Sequence, residues 1–245
     1  MATDRPVVLV TGAARRVGAQ IARTLHEASF DLALHYRHSR REMEALAAAL
    51  ESARTDSVLT LHADLADISA LAGLVSRCVS RFGRLDAIVN NASAFFPTPI
   101  GETTAQQWDE LFASNARAPF FLAQAGADIL KKTSGCIVSI VDIYAERTLA
   151  KHPVYSMAKA ALVAMTRALA VDMAPVRVNA VAPGAILWPD NGKTYTDQND
   201  LIARTPLRRV GTPEEIARAV LFLIRDATFT TGHILDVDGG RALTI

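Results

Sequence analysis

Tyr155-Ser156-Met157-Ala158-Lys159 sets a phenol and an ammonium four residues apart, a spacing that on a helix brings both to one face. Both can then act on one ligand. A tyrosine at its ordinary pKa of about 10 is a poor acid–base catalyst at neutral pH, and an adjacent ammonium favours the phenolate and draws that value down. The lysine can also hold sugar hydroxyls. A lone pair at this spacing arises by chance, so its weight depends on its company. That company begins with Thr11-Gly12-Ala13-Ala14-Arg15-Arg16-Val17-Gly18, which follows an apolar run and opens a helical stretch. Backbone N–H groups at such a helix start can face an anionic pyrophosphate, with Gly12 permitting the tight turn and Gly18 close packing of helix on sheet.

An NAD-type site needs a carboxylate at the end of the second strand for the ribose 2′-hydroxyl. The chain instead reads His35-Tyr36-Arg37-His38-Ser39-Arg40-Arg41. Such a cluster suits a 2′-phosphate through charge-assisted hydrogen bonds, with Tyr36 or Arg37 able to lie against adenine. This reads as an NADP(H) site. The plain alternative is a solvated helix start, although cations there oppose the helix dipole. Ala63-Asp64-Leu65 and Asn90-Asn91-Ala92-Ser93 end the third and fourth strands, and each alone is an ordinary strand-to-loop junction.

The elements that must carry these residues follow from hydrophobic period. Short runs rich in Val, Ile and Leu alternate with longer segments of helical period, the pattern of repeated βαβ units. Strands are predicted at 7–11, 31–36, 57–63, 87–90, 135–140, 177–181 and 234–237, and helices at 18–28, 40–53, 68–82, 104–131, 154–173 and 213–225. Thr212-Pro213-Glu214-Glu215 is a helix start, with a capping residue followed by proline. No linker or low-complexity tract divides the chain, so the expected architecture is α/β, one doubly wound Rossmann-type domain over 1–245. Its seven-stranded sheet is mostly parallel with helices on both faces. Residues 94–101 and 185–204 lack a strong period, follow strands, and are predicted as walls and lid of a site.

Composition narrows the function. The 245 residues are 50% hydrophobic and 21% charged, values of an ordinary globular chain with a core that needs neither disulfide nor metal. Lys+Arg 26 against Asp+Glu 25 gives a net charge of +1, which removes the electrostatic argument for nucleic acid or an anionic membrane as main partner. Cys78 and Cys136 sit in apolar stretches without metal-ligand spacing, read as buried thiols, and fit a cytoplasmic protein. The stretch 160–171 is expected to be too short to cross a bilayer.

The glycine turn resembles the Thr-Gly-x-x-x-Gly-x-Gly turn of the short-chain dehydrogenase/reductase family, with Arg16 where the family has its middle glycine. With Asn115 in Ser114-Asn115-Ala116, Tyr155, Lys159, and Pro183-Gly184 after the sixth strand, the resemblance covers nearly the whole chain. It implies that Asn115 supports the lysine through a relay, Tyr155 passes the proton, Lys159 binds the nicotinamide ribose and Pro183, Gly184 and Ile186 flank the nicotinamide. It also implies that Gly12, Arg16, Val17, His35, Tyr36, Arg37, His38, Ser39, Asp64, Leu65, Asn91, Ala92 and Ser93 contact NADPH, and that the chain forms a homotetramer.

Thirteen positions before Tyr155, where most of the family has a serine, stands Asp142. A carboxylate repels the oxyanion that develops when a ketone is reduced. It suits C=N chemistry, in which a carboxyl/phenol pair passes a proton to a ring nitrogen. An N-capping or turn aspartate is the alternative. Asp142 in Val141-Asp142-Ile143-Tyr144, Arg16, the 35–39 run and Asn91-Ala92-Ser93-Ala94-Phe95-Phe96-Pro97 resemble the pteridine reductase branch. That resemblance implies reduction of a small-molecule dihydropterin or folate, with Phe95 stacked on the pterin, Arg16 and Ser93 touching pterin or phosphate, and Trp188 covering the pocket. Phe95 or Phe96 as a core residue stays open. A 3-oxoacyl-type carbonyl reductase and a non-catalytic NADP(H)-binding protein are the competing functions.

Overall fold

The computed structural model describes residues 3–186 and 198–244. Seven strands, β1 (Val7–Val10), β2 (Asp31–Tyr36), β3 (Val58–His62), β4 (Ala87–Asn90), β5 (Cys136–Ile140), β6 (Arg177–Pro183) and β7 (Ile234–Val237), form one sheet in the order β3-β2-β1-β4-β5-β6-β7. All neighbours pair in parallel. β1, β2, β4 and β5 are buried along their whole length, which is why they read as unbroken apolar runs rather than as alternation. The strand order reverses between β1 and β4, and ligands of such sheets bind at the carboxyl ends beside that reversal.

The helices are α1 (Arg16–Glu27), α2 (Arg40–Ala53), α3 (Ile68–Phe82), α4 (Ala105–Phe112), α5 (Ala118–Lys132), α6 (Pro153–Asp172), α7 (Gln198–Arg204) and α8 (Pro213–Arg225). One apolar layer lies between the sheet and α1, α2 and α8, the other between the sheet and α3, α5 and α6. The α8 start is the predicted one: Thr212 accepts from the Glu215 N–H while the Glu215 side chain accepts from the Thr212 N–H, a reciprocal box behind Pro213. Cys78 and Cys136 are buried and free, and burial pushes their thiols up to about 12 and about 11.

Three expectations need correction. The single helix predicted over 104–131 is α4 and α5 joined by a π-helical turn, Ala113–Arg117. There the Asn115 side chain donates to the Leu111 carbonyl at 2.9 Å, and Pro119 has no N–H to offer the Asn115 carbonyl. Both effects loosen the regular ladder. Within the predicted 185–204 loop, Gln198–Arg204 is helical, while 187–197, including Trp188, lie outside the described residues. Finally, α6 has 20 residues and is long and apolar enough to cross a membrane by length and composition. It is nevertheless a core helix: Tyr155, Ser156, Lys159 and Thr166 are all buried in it.

Candidate active site

The turn after β1 is held by its neighbours. Gly12 has φ +62°, and a Cβ there would stand 2.9 Å from the Ala92 Cα. At Gly18 a Cβ would stand 2.2 Å from the Gly12 carbonyl oxygen and 2.6 Å from the Asn91 amide. The close approach that demands glycine is therefore helix onto turn, rather than helix onto sheet as expected. Arg16, at the position of the family's middle glycine, keeps a left-handed φ of +54°. The start of α1 carries no side-chain cap and no acidic residue in its first turn, leaving its positive end for an anion.

Asn91 donates to the carbonyls of Thr11 (2.8 Å) and Gly12 (3.0 Å), while Thr11 Oγ1 accepts from the N–H groups of Asn91 and Ala92. These bonds stitch the β1 and β4 ends together. The Asn91 amide therefore serves the turn.

His35 corrects its place in the basic run. It is buried at the end of β2; its Nδ1 accepts from the Gly12 N–H at 3.2 Å and its Nε2 donates to the Ala63 carbonyl at 3.1 Å. Burial holds its pKa down at about 4. His35 is thus a neutral clamp on the glycine turn and supplies no charge to a phosphate. Other members of the run, Arg37, His38 and Ser39, line the cleft. Arg37 shares its charge with Asp64 at 2.9 Å, and Ser39 precedes α2 without making a capping bond.

The cleft is about 840 Å³, within the range of small-molecule sites. It runs from Gly12, Arg16 and Val17 past Tyr36, Arg37 and Leu65 to Asn91, Ala92, Ser93 and Arg117. An uncapped helix start, a cation-rich rim and two strand-end loops fit a phosphorylated dinucleotide. Pro183, Gly184 and Ile186 do not line it. They close the β6 end, where a Cβ on Gly184 would meet Asp238 at 2.8 Å, and Ile186 packs into the core.

The catalytic candidates do not line this cleft: Asn115, Tyr155 and Lys159 are buried beyond Ser93, and Asp142 lines a separate cavity of about 250 Å³. The Ser93 hydroxyl donates to Asn115 Oδ1 at 2.7 Å, and Asn115 Nδ2 donates to the Ala94 carbonyl at 2.9 Å. The π turn packs on α6, which carries Tyr155 and Lys159, both nearly inaccessible. The Tyr155 hydroxyl donates to Asp142 Oδ2 at 2.6 Å, and Asp142 Oδ1 accepts from the Tyr144 N–H at 2.9 Å. Asp142 therefore caps the short 3₁₀ turn Ile143–Ala145, as its alternative reading expects, and also accepts a hydrogen bond from Tyr155.

Burial raises both pKa values of the pair, and the Asp142 charge raises that of Tyr155 further. The hydrogen bonds from Tyr144 and Tyr155 and the charge of Lys159 oppose the rise at Asp142. The expectation that the ammonium draws the phenol down is thereby overturned. Lys159 Nζ donates to the Ile140 carbonyl at 2.8 Å and lies 5.7 Å from the Tyr155 ring centroid, and desolvation and Asp142 outweigh it. Lys159 itself is lowered by burial to about 8, with Asp142 pulling the other way. The site aims the Tyr155 hydroxyl at the Asp142 carboxyl group.

Phe95 meets the Tyr155 ring edge-on at 4.8 Å and stacks on His152 at 4.8 Å with 8° between planes. It is 41% exposed, whereas Phe96 packs beside Leu111, Val154 and Tyr155. The core alternative thus describes Phe96. Tyr144 and His152 were not singled out from sequence. Tyr144 had only its nearness to Asp142 to mark it, and His152 only its place before Pro153.

A family model described as enoyl-(acyl carrier protein) reductase matches residues 12–242. The chain is 36% identical to pteridine reductase 1 of Leishmania tarentolae, over 98% of this chain and 97% of that one. It is 32% identical to the short chain dehydrogenase mdpC of Emericella nidulans, over 96% and 95%. The chain belongs to the short-chain dehydrogenase/reductase family. Another relative, versicolorin reductase 1 of Aspergillus parasiticus, is 35% identical over 97% and 96%. As a short-chain dehydrogenase/reductase the protein is an oxidoreductase that uses a nicotinamide cofactor, and the seven-stranded parallel sheet is the family's Rossmann-like fold.

Proposed function

We propose that this protein is an NADPH-dependent pteridine reductase, converting dihydropterins to tetrahydropterins at a C=N bond. The observation that carries the reading is the 2.6 Å bond between the Tyr155 hydroxyl and Asp142. A carbonyl reductase has to stabilise a developing oxyanion, and a carboxylate beside the phenol opposes that. A nitrogen that gains a proton is served by the same pair: Tyr155, kept protonated by burial and by Asp142, stands as donor, and Asp142 holds the phenol in place. The similarity to pteridine reductase 1 supports the same substrate class, and the name of one other relative includes ketoacyl reductase, which points to ketone chemistry.

The bound nicotinamide would supply the hydride. Lys159, directed by the Ile140 carbonyl, would hold the nicotinamide ribose, and Asn115 would keep the loop carrying Ser93 and Ala94 against the π turn. Arg37, His38 and Ser39 at the rim would take the 2′-phosphate, Phe95 would supply the aromatic surface for the pterin, and Arg16 and Ser93 its polar edge.

The test is NADPH oxidation with dihydrobiopterin, dihydromonapterin and dihydrofolate in parallel, with a β-ketoacyl thioester and NADH as controls. Turnover of pterins with NADPH is expected. Turnover of the thioester alone makes the protein a carbonyl reductase, and cofactor binding without any hydride transfer makes it a binding protein.

A further inference from the structure

Asp142 is reached from a side that the cofactor cleft does not use. The cavity of about 250 Å³ that it lines lies between the 3₁₀ turn Ile143–Ala145, α6 and β7, and its walls include Asp142, Glu146, Arg167, His233, Asp236 and Ala242. None of these residues lines the cofactor cleft. β7 is the outermost strand of the sheet, and Asp236 on it and His233 just before it are exposed. Arg167 and Glu146, paired at 3.8 Å, have side chains 59% and 69% exposed. The cavity thus joins solvent at the sheet edge to Asp142, and its polar walls and size suit water.

Tyr155 and Lys159 are nearly inaccessible and line neither space, whereas Asp142 keeps part of its surface open. The Asp142 carboxyl accepts from the Tyr155 hydroxyl at 2.6 Å and from the Tyr144 N–H at 2.9 Å. Two carboxylate oxygens offer about four acceptor positions, so room for a water remains. Burial raises the Asp142 pKa, which favours a carboxyl that takes up a proton and passes it on. Towards the edge, desolvation and the charges of Asp238 and Glu146 raise that of Asp236 as well.

We propose that this cavity is the route by which solvent protons return to Tyr155, with Asp236 collecting them at the sheet edge and Asp142 delivering them. The inference deepens the pteridine reading and rests on it. In each turnover the Tyr155 hydroxyl gives its proton to the substrate nitrogen while the adjacent carbon takes a hydride from the nicotinamide, which leaves a phenolate. One solvent proton, passed along cavity water, adds to the Asp142 carboxylate. Asp142 then gives a proton to the phenolate through their hydrogen bond and is a carboxylate again. Proton uptake therefore proceeds while the cleft is occupied.

The experiment compares the first turnover with later ones, mixing the full-length enzyme with NADPH and dihydrobiopterin in a stopped-flow instrument. The first turnover spends the proton already on Tyr155, and each later one needs a new proton. Ala242→Leu, which puts a larger apolar side chain into the cavity, should complete the first turnover at the wild-type rate and then settle to a steady rate at least about tenfold lower. The solvent deuterium isotope effect on that steady rate should exceed the wild-type value. Ala242→Ser, which leaves the space open, should restore the steady rate. Asp236→Asn preserves shape and cannot carry the proton, and it should slow only the later turnovers, by at least about threefold. A steady rate within about twofold of wild type in Ala242→Leu or in Asp236→Asn overturns the proposal. So does a first turnover slowed as much as the later ones, the mark of a merely structural effect. If no pterin supports NADPH oxidation by the wild type, the pteridine reading falls and this inference falls with it.

Discussion

Replacing Asp142 by asparagine probes the pair that decides the chemistry. The substitution preserves shape, and the asparagine Oδ1 can still accept the Tyr144 N–H that Asp142 accepts at 2.9 Å, since asparagine caps as well as aspartate. What is lost is the charged acceptor of the 2.6 Å bond from Tyr155. A hydrogen bond to a charged group contributes about 1.5–3 kcal/mol. If that stabilisation is expressed where Tyr155 hands over its proton, kcat on a dihydropterin should fall about 10- to 150-fold, since about 1.4 kcal/mol is a factor of ten. The KM for NADPH should stay within about twofold, because the cofactor cleft is untouched. Removing the neighbouring carboxylate also removes part of what raises the phenol, so the alkaline limb of the pH–rate profile should move to lower pH. Asp142→Ser should lose pterin turnover and gain activity on a β-ketoacyl thioester, because a hydroxyl donates to a carbonyl oxygen where a carboxylate cannot. Steady-state kinetics on folded variants provides the assay. Pterin turnover by Asp142→Asn within about threefold of wild type would refute the reasoning.

The same geometry sets three further expectations. Gly18→Ala puts a methyl 2.2 Å from the Gly12 carbonyl, an overpacking that costs about 1–3 kcal/mol or more, so NADPH affinity measured by fluorescence titration should drop with the melting temperature; unchanged values would contradict the packing. His35, held at about 4 when folded against an ordinary 6.5, binds fewer protons in the native than in the unfolded state across that window. Stability and NADPH affinity should therefore fall as pH drops from 6.5 towards 4, and His35→Asn should flatten that limb in a pH series of melting curves. Lys159, buried and lowered from 10.5 to about 8, makes wild-type stability rise between pH 8 and 10.5, by about 3 kcal/mol at most. Lys159→Met should melt higher at pH 7, lose this slope and lose activity; a lower melting temperature would show that the ammonium holds the fold.

Local period and spacing carried much of this protein. β1, β2, β4 and β5 announce themselves because strands buried on both faces must be apolar throughout, and α8 because Thr212, Pro213 and Glu215 are a self-contained start signal. Tyr155 and Lys159 share a helix face by spacing alone, and Asp142 stands out as a residue type. Tertiary structure decided what these groups do to one another. Whether Lys159 or Asp142 governs the Tyr155 phenol depends on which side chain touches it, and β5 brings Asp142 to 2.6 Å while the Ile140 carbonyl takes the lysine. His35 reads as a cation in the chain and is a neutral clamp in the fold, because desolvation depends on what covers a side chain and not on its type. The break at Asn115 arises from a side-chain bond and a missing N–H that helical period does not register.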